Sequence, residues 1–343
     1  MVFKKVDDII LHADVYYPPQ VRKGGDENQI ALVALMIHGG GHVTLTRKDI
    51  RLDQVSMALD RGFVVVSIDY RLCPEVTLAE GPMADTVDAL AWIRNTLPTI
   101  PGKRPDVRLD GEKVVAIGWS SGGHLAMSLS WTSISRRIRP PDAILAFYCP
   151  TDYADPFWLR PNIPRHTESI IADVEQDEFD DKIWSGMSDQ PLPGDTASMN
   201  GKHAADGGTG SLSTEDRRAR LLLYMSRHGK TLDILLNGLG KKTRQGPVDS
   251  TEAQIEAISP LAQIRNGAYT TPTFIIHPRQ DNLLPLEQSL RTYKALVAAG
   301  VETELRIVEN SSHLFDAFHG WDRDRQAFNT VLEGYRFIYD YVG

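Results

Sequence analysis

The amino-acid sequence predicts an α/β fold, a mostly parallel central sheet flanked by helices and interrupted by one inserted helical segment. Three observations carry this: short, nearly continuous apolar runs, helical periodicity between them, and one long polar stretch that breaks the rhythm. At 42% hydrophobic and 24% charged residues, the 343-residue chain has ample material for a sizeable core. The first run, "IILHADVYY" (9–17), alternates like a half-exposed strand. The runs "ALVALMI" (31–37), "FVVVSI" (63–68), "KVVAIGW" (113–119), "AILAFY" (143–148) and "TFIIH" (273–277) are apolar almost throughout, as strands covered on both faces must be. Between them "ADTVDALAWIRNTL" (84–97) and "HLAMSLSWTSIS" (124–135) each leave one apolar helical face. The stretch "LEQSLRTYKALVAAG" (286–300) ends in Gly300, where a helix C-cap wants a glycine.

Residues 155–259 depart from this alternation. They contain the Gly/Ser-rich "GKHAADGGTGSLSTED" and one helical run, "RRARLLLYMSRHG", with no strand-like run. Residues 1–154 and 260–343 are therefore expected to form the core domain, with 155–259 as an inserted helical lid or cap after the sixth strand. The glycines of "DGGTGS" are not a phosphate loop, because no Gly-Lys-Ser/Thr and no preceding strand accompany them.

A net charge of −8, without a dominant basic patch, argues against nucleic acid as a partner. Acidic residues and His12 interrupt the N-terminus, and no stretch reaches the ~20 apolar residues that span a bilayer, so the reading is a cytoplasmic protein with no membrane partner. Cys73 and Cys149 lack metal-ligand spacing and read as buried free thiols; no His-Glu-x-x-His or Cys/His cluster points to a metal. No cofactor is expected.

The chemistry concentrates at three motifs. "GWSSG" (118–122) is G-x-S-x-G between a strand and a helical run, the context in which a sharp turn presents a nucleophilic serine. Register selects Ser120, since centring on Ser121 would put Trp119 at a glycine position; Gly118 and Gly122 leave room for a strained turn. "IHGGGH" (37–42) follows a strand directly, and its consecutive glycines can aim backbone N–H groups into a cavity. The amides of Gly40, Gly41 and Ser121 are the candidate oxyanion hole. The third motif, "SIDYRLCPE" (67–75), places Asp69 and Arg71 at a strand end, where ion pairs and hydrogen bonds can fix a loop.

Taken together and in this order, "HGGG", "DYRLxPE" and "GxSxGG" resemble the hormone-sensitive-lipase-like carboxylesterases of the α/β-hydrolase fold. The resemblance runs from about residue 30 to the end, the insertion apart. It implies a serine esterase needing no cofactor, with Asp-Tyr-Arg-Leu as a structural brace and the acid and base of a triad at Asp281 and His313. Both follow strand-like runs in the required chain order, serine, acid, histidine. Pro278 and Ser311 stand near where such segments usually carry glycine, and Asn282 where a second acid is common. Rivals for the base are His277, His124, His319 and His38; rivals for the acid are Asp316 and Glu309.

The insertion supplies apolar surface for a small-molecule substrate, hydrophobic acyl or polyketide-like, bound with help from His42, Trp158 and Trp184. Phe157, Met187, Leu222, Leu223, Tyr224 and Met225 either line that pocket or merely dock the insertion. Homodimers are frequent in the resembled family. Three other functions stay open: a peptidase of the prolyl-oligopeptidase kind, for which the chain leaves no room for a propeller; a thioester-, lactone- or elimination-directed enzyme of secondary metabolism; and a ligand receptor, disfavoured by the retained histidine.

Overall fold

The apolar runs become the strands of one sheet, and the layers on either side explain why they are apolar throughout. The computed structural model describes residues 1–19, 30–101, 104, 107–162, 192–193, 217–238 and 250–343. Its strands are β1 (Val2–Val6), β2 (Ile9–Tyr16), β3 (Leu32–Ile37), β4 (Phe63–Ile68), β5 (Val114–Trp119), β6 (Ile144–Phe147), β7 (Thr273–Pro278) and β8 (Thr303–Val308). They stand side by side as β1-β2-β4-β3-β5-β6-β7-β8. β2 pairs antiparallel with β1 and β4, and every later neighbour is parallel. β1 was not expected, because "VFKKV" is too charged and too exposed to carry the pattern of a buried strand.

Side chains alternate between two cores. Val33, Leu35 and Ile37 of β3 join the core beneath α2 (Ala84–Asn95) and α3 (Ser121–Ser135), while Ala34 and Met36 join the opposite one, beneath α1 (Leu52–Leu59) and α9 (Arg325–Asp340). Both faces are thus covered, which is what a parallel sheet needs. α8 (Leu286–Ala298) closes as predicted: Gly300 takes φ +70°, its N–H donates to Val297 O (3.1 Å), and Val301 N–H donates to Leu296 O (3.0 Å). Only glycine adopts that geometry cheaply.

The described elements between β6 and β7 are a 3₁₀ turn (Pro156–Leu159), α4 (Arg217–Arg227), α5 (Thr231–Asn237), α6 (Glu252–Ile258) and α7 (Pro260–Arg265). No strand occurs there among the described residues. α4 is fastened to the body through Arg218, whose guanidinium donates to the carbonyls of Val43 (3.2 Å) and Cys73 (2.6 Å) and pairs with Glu75. Both cysteines are buried free thiols, and no described helix is long and apolar enough to cross a membrane.

Parallel register brings the motif-bearing loops together. Ile37 of β3 lies opposite Gly118 of β5, and Trp119 opposite Phe147 of β6, so the glycine loop and the serine turn leave adjacent strand ends. The carboxyl edge of a parallel sheet is where ligands bind in such folds.

Candidate active site

Ser120 sits between β5 and α3 at φ +52°, ψ −125°, a conformation that costs a non-glycine residue about 1–3 kcal/mol. The surroundings hold it there. Its N–H donates to Phe147 O (2.9 Å), and its carbonyl accepts from Gly123 N–H (2.9 Å) and His124 N–H (3.3 Å). A side chain at Gly118 would strike the Gly122 carbonyl, and one at Gly122 the carbonyls of Ile37 and His38, so both glycines serve the close approach the sequence implied.

The three distant residues meet. His313 Nε2 lies 3.1 Å from Ser120 Oγ, and His313 Nδ1 lies 2.8 Å from Asp281 Oδ2. A carboxylate can only accept, so Nδ1 carries the proton and Nε2 is left to accept from the serine hydroxyl. Asp281 Oδ1 takes the amides of Leu283 and Leu284, both at 2.8 Å, which fixes the carboxylate plane. Burial works to raise the Asp281 carboxyl, but the His313 imidazole, His277 and the Leu284 amide hold it below the ordinary range.

The competing residues have other occupations. His277 is buried in β7, with Nδ1 2.8 Å from Ser289 Oγ and Nε2 3.2 Å from Leu284 O; burial keeps its imidazole neutral against the pull of Asp281. His38 bonds Gly39 O (2.9 Å) and stacks on Tyr70 with centroids 4.2 Å apart. His319 is exposed, and Glu309 pairs with Arg279 at the surface. Asp316 is buried in a separate cluster, accepting from Trp119 Nε1 (2.8 Å), Gln54 Nε2 (2.6 Å) and Tyr148, with Arg51 beside it. Although burial opposes it, Tyr148 and Asp316 keep Arg51 charged. Tyr148 also sets its ring edge-on to His313 (4.6 Å), so this cluster backs the base without touching Ser120.

The glycine loop faces the same point. Gly40 and Gly41 take φ +97° and +61°, and Val43 and Thr44 N–H close the loop onto Gly40 O at 3.1 Å. Among the described residues, none takes up the amides of Gly40, Gly41 or Ser121, whereas the His42 amide donates to Ser121 Oγ (3.2 Å). The brace expected of "DYRL" is present, but Asp69 and Arg71 do not share partners. Asp69 accepts from Arg47 (Nη1 at 2.7 Å), Arg71 pairs with Asp85, and Tyr70 between them donates to the carbonyls of His38 and Gly39 at 3.1 Å.

Around Ser120 opens a cavity of about 490 Å³, walled mainly by apolar and aromatic side chains. Phe157, Trp158, Leu222, Leu223 and Met225 of the insertion line it, and Leu222 lies against Gly41. Trp158 stacks on Tyr153 (5.1 Å) and donates to Asp152 O (2.8 Å). His42 also borders the cavity, but the residue is only 1% exposed and its ring lies with Nε2 3.1 Å from Nδ1 of His124. Trp184 and Met187 fall outside the described residues. No group of three or more His, Cys, Asp or Glu among the described residues is arranged to hold a metal ion.

Sequence reasoning singled out Ser120, Asp281, His313 and the glycine loop from residue type and chain order. It missed the Asp316 cluster and the His42–His124 contact, which join residues far apart in the chain and leave no local pattern.

The BD-FAE family matches residues 13–155, and the prolyl oligopeptidase family matches residues 229–343. Among solved structures, a Staphylococcus aureus protein of unknown function superposes with a TM-score of 0.65 at 17% identity, covering 100% of this chain and 98% of that one. Thermogutta terrifontis esterase 2, in a structure phosphonylated by sarin, superposes with a TM-score of 0.59 at 20% identity, covering 99% of this chain and 93% of that one. This chain is an α/β-hydrolase by fold. The α/β-hydrolase matches are coarser than the hormone-sensitive-lipase-like resemblance of its motifs. A non-reducing polyketide synthase, adrD of Penicillium rubens, is 47% identical over 340 residues, which are 97% of this chain and 13% of that protein. The chain spans 13% to 15% of the length of the curated relatives it matches.

Proposed function

We propose that this α/β-hydrolase is a serine hydrolase that cleaves a carboxylic ester or thioester with a hydrophobic acyl group through an acyl-enzyme. The observation that carries the reading is the His313 imidazole, set between the Ser120 hydroxyl (3.1 Å) and the Asp281 carboxylate (2.8 Å) at the wall of an apolar cavity. Ser120 Oγ attacks the carbonyl carbon as His313 Nε2 takes its proton. The oxyanion is received by the amides of Gly40, Gly41 and Ser121. Collapse expels the alcohol or thiol, which takes the proton from His313, and water repeats the sequence on the acyl-Ser120 ester. The described part of residues 155–259 acts as the lid, with Trp158 in the acyl pocket.

The polyketide synthase relatives favour a thioester as the bond cleaved, since polyketide chains grow as thioesters and need an acyl-transferring step to leave. The prolyl oligopeptidase match keeps amides among the substrates to be tested.

The test is intact-mass spectrometry after exposure to a fluorophosphonate, followed by rates on a p-nitrophenyl ester, an N-acetylcysteamine thioester of an aromatic acid, and an aminoacyl amide. The expected result is one adduct on the wild type, none on Ser120→Ala, and turnover of ester and thioester well above amide. An adduct that survives in Ser120→Ala would reject the assignment of the nucleophile, and a preference for the amide would move the protein to the peptidases.

A further inference from the structure

The two buried histidines beside the nucleophile form a chain of hydrogen bonds whose direction can be derived. His124 Nε2 lies 2.8 Å from the carbonyl oxygen of Ile258, which can only accept, so His124 carries its proton on Nε2. His124 Nδ1 is then a lone pair, and the atom 3.1 Å from it, His42 Nε2, must be the donor. The chain runs His42 Nε2–H to His124 Nδ1, then His124 Nε2–H to Ile258 O. It joins three separate pieces of the molecule. His42 is the residue after Gly41 in the glycine loop, His124 lies in the first turn of α3 just past Ser121, and Ile258 ends α6 on the returning limb of the insertion. A second strut runs parallel to it, from the His42 amide to Ser121 Oγ (3.2 Å). The two amide sources of the oxyanion hole, one on each loop, are therefore tied to each other through His42.

We infer that His42 and His124 are positioning residues: as a neutral, directional imidazole pair they hold the glycine loop at the distance from Ser121 at which the amides of Gly40, Gly41 and Ser121 converge on one oxyanion. The inference rests on the serine-hydrolase reading. On this reading His42, at the border of the cavity, acts through its bond to His124.

Protonation would break the device, because a proton on His124 Nδ1 turns the acceptor into a donor facing another donor. Burial, and then each other's proximity in the case of His42, keep both rings neutral; His42 is held well below the ordinary imidazole range and His124 is pushed down to about 4. The titratable groups facing the pair are His38 on the glycine loop and Tyr153, whose ring meets His124 edge-on at 5.0 Å from the segment after β6. Neither supplies a negative charge near neutral pH that would favour a proton on the pair.

The experiment compares His42→Phe, His42→Gln and His124→Asn with the wild type. His42→Phe keeps the ring volume and removes the donor, His42→Gln restores an N–H donor near Nε2, and His124→Asn keeps an acceptor near Nδ1. Misplacing a reacting group by about 1 Å costs on the order of 10²-fold. His42→Phe should accordingly lose about that in kcat, with KM little changed and trifluoromethyl-ketone affinity falling in step. His42→Gln should recover most of both. The wild-type kcat profile should carry an added acid-side loss centred near pH 4, where His124 takes its proton, and His124→Asn should lack it. Equal losses in His42→Phe and His42→Gln, or the same acid limb in wild type and His124→Asn, overturn the inference. If His42→Phe does not fold, the acid limbs of wild type and His124→Asn decide. Fluorophosphonate labelling separates the two failures: wild-type protein that takes no adduct defeats the serine-hydrolase reading, while variants labelled at Ser120 with unchanged kcat defeat only the positioning role.

Discussion

Asp281 carries two duties on separate oxygens. Oδ1 accepts the amides of Leu283 and Leu284, which holds the loop after β7, and Oδ2 accepts His313 Nδ1–H, which fixes the tautomer of the base. Asparagine can reproduce the first duty with its own Oδ1 but presents an amide N–H where the second needs an acceptor. Asp281→Asn should therefore fold, yet lose about 10⁴-fold in kcat because His313 takes the wrong tautomer. Its stability deficit has a defined pH dependence. The folded carboxyl lies below its unfolded value, so the unfolded chain binds more protons and stability rises with pH through that window. The contribution is complete above the unfolded carboxyl pKa of ~3.9 and lost as pH falls through the folded value. The difference in Tm between wild type and Asp281→Asn, followed by circular dichroism, should shrink as the pH falls below about 4. A gap that widens in acid would contradict the role given to Oδ2. At this scale the triad was legible because serine, acid and histidine have a required order and each follows a strand. Asp316 was not excludable by sequence alone, since its partners Gln54, Trp119 and Tyr148 come from three unconnected elements.

Strands and helices show a different balance between what is local and what is not. β3, β5 and β7 were readable because both faces are buried and nearly every side chain is apolar; β1, at the sheet edge, keeps Lys4 and Lys5 and shows no such pattern. α4 was readable as a helix, but its docking was not. Arg218 looks like any solvated arginine until the fold brings Val43, Cys73 and Glu75 to it. The Glu75 side chain has no exposed surface, and burial raises its carboxyl even with Arg218 beside it. Removing one partner of such a pair typically costs about 3–5 kcal/mol, because the other is stranded in low dielectric. Arg218→Met should thus loosen α4 from the oxyanion loop, which Leu222 contacts at Gly41, and raise KM for long acyl esters more than for acetyl esters. Adding Glu75→Gln removes the stranded charge and should restore much of the lost stability. Hydrogen exchange over 217–238 distinguishes this from global unfolding, since only that segment should lose protection in Arg218→Met; unchanged exchange there would show that the ion pair does not dock the helix.

At the scale of the molecule, the division of labour follows from the sheet. Gly40, Ser120, Asp281 and His313 all lie on loops at the carboxyl edge, while the cores on the two faces hold the strands that space them. Packing on the face away from the insertion can therefore be disturbed without moving the site. Gly334 of α9 is the place to do so: a Cβ there would lie 2.6 Å from Leu145 Cδ1 and 3.4 Å from Ile276 Cδ1, both in the middle of the sheet. The branched side chain of Gly334→Val must push the helix outward or distort the Leu145 rotamer, at a cost of about 1–3 kcal/mol. Part of that is offset by the entropy glycine loses on entering a helix, roughly 0.5–1 kcal/mol. The net expectation is a lower Tm, with kcat unchanged when rates are divided by the concentration of sites a fluorophosphonate titrates. If kcat per titrated site falls with Tm, the strands transmit the strain to the loops and the edge is not mechanically separate from the core. If neither changes, α9 has room to move that the close approach of Gly334 to Leu145 denies.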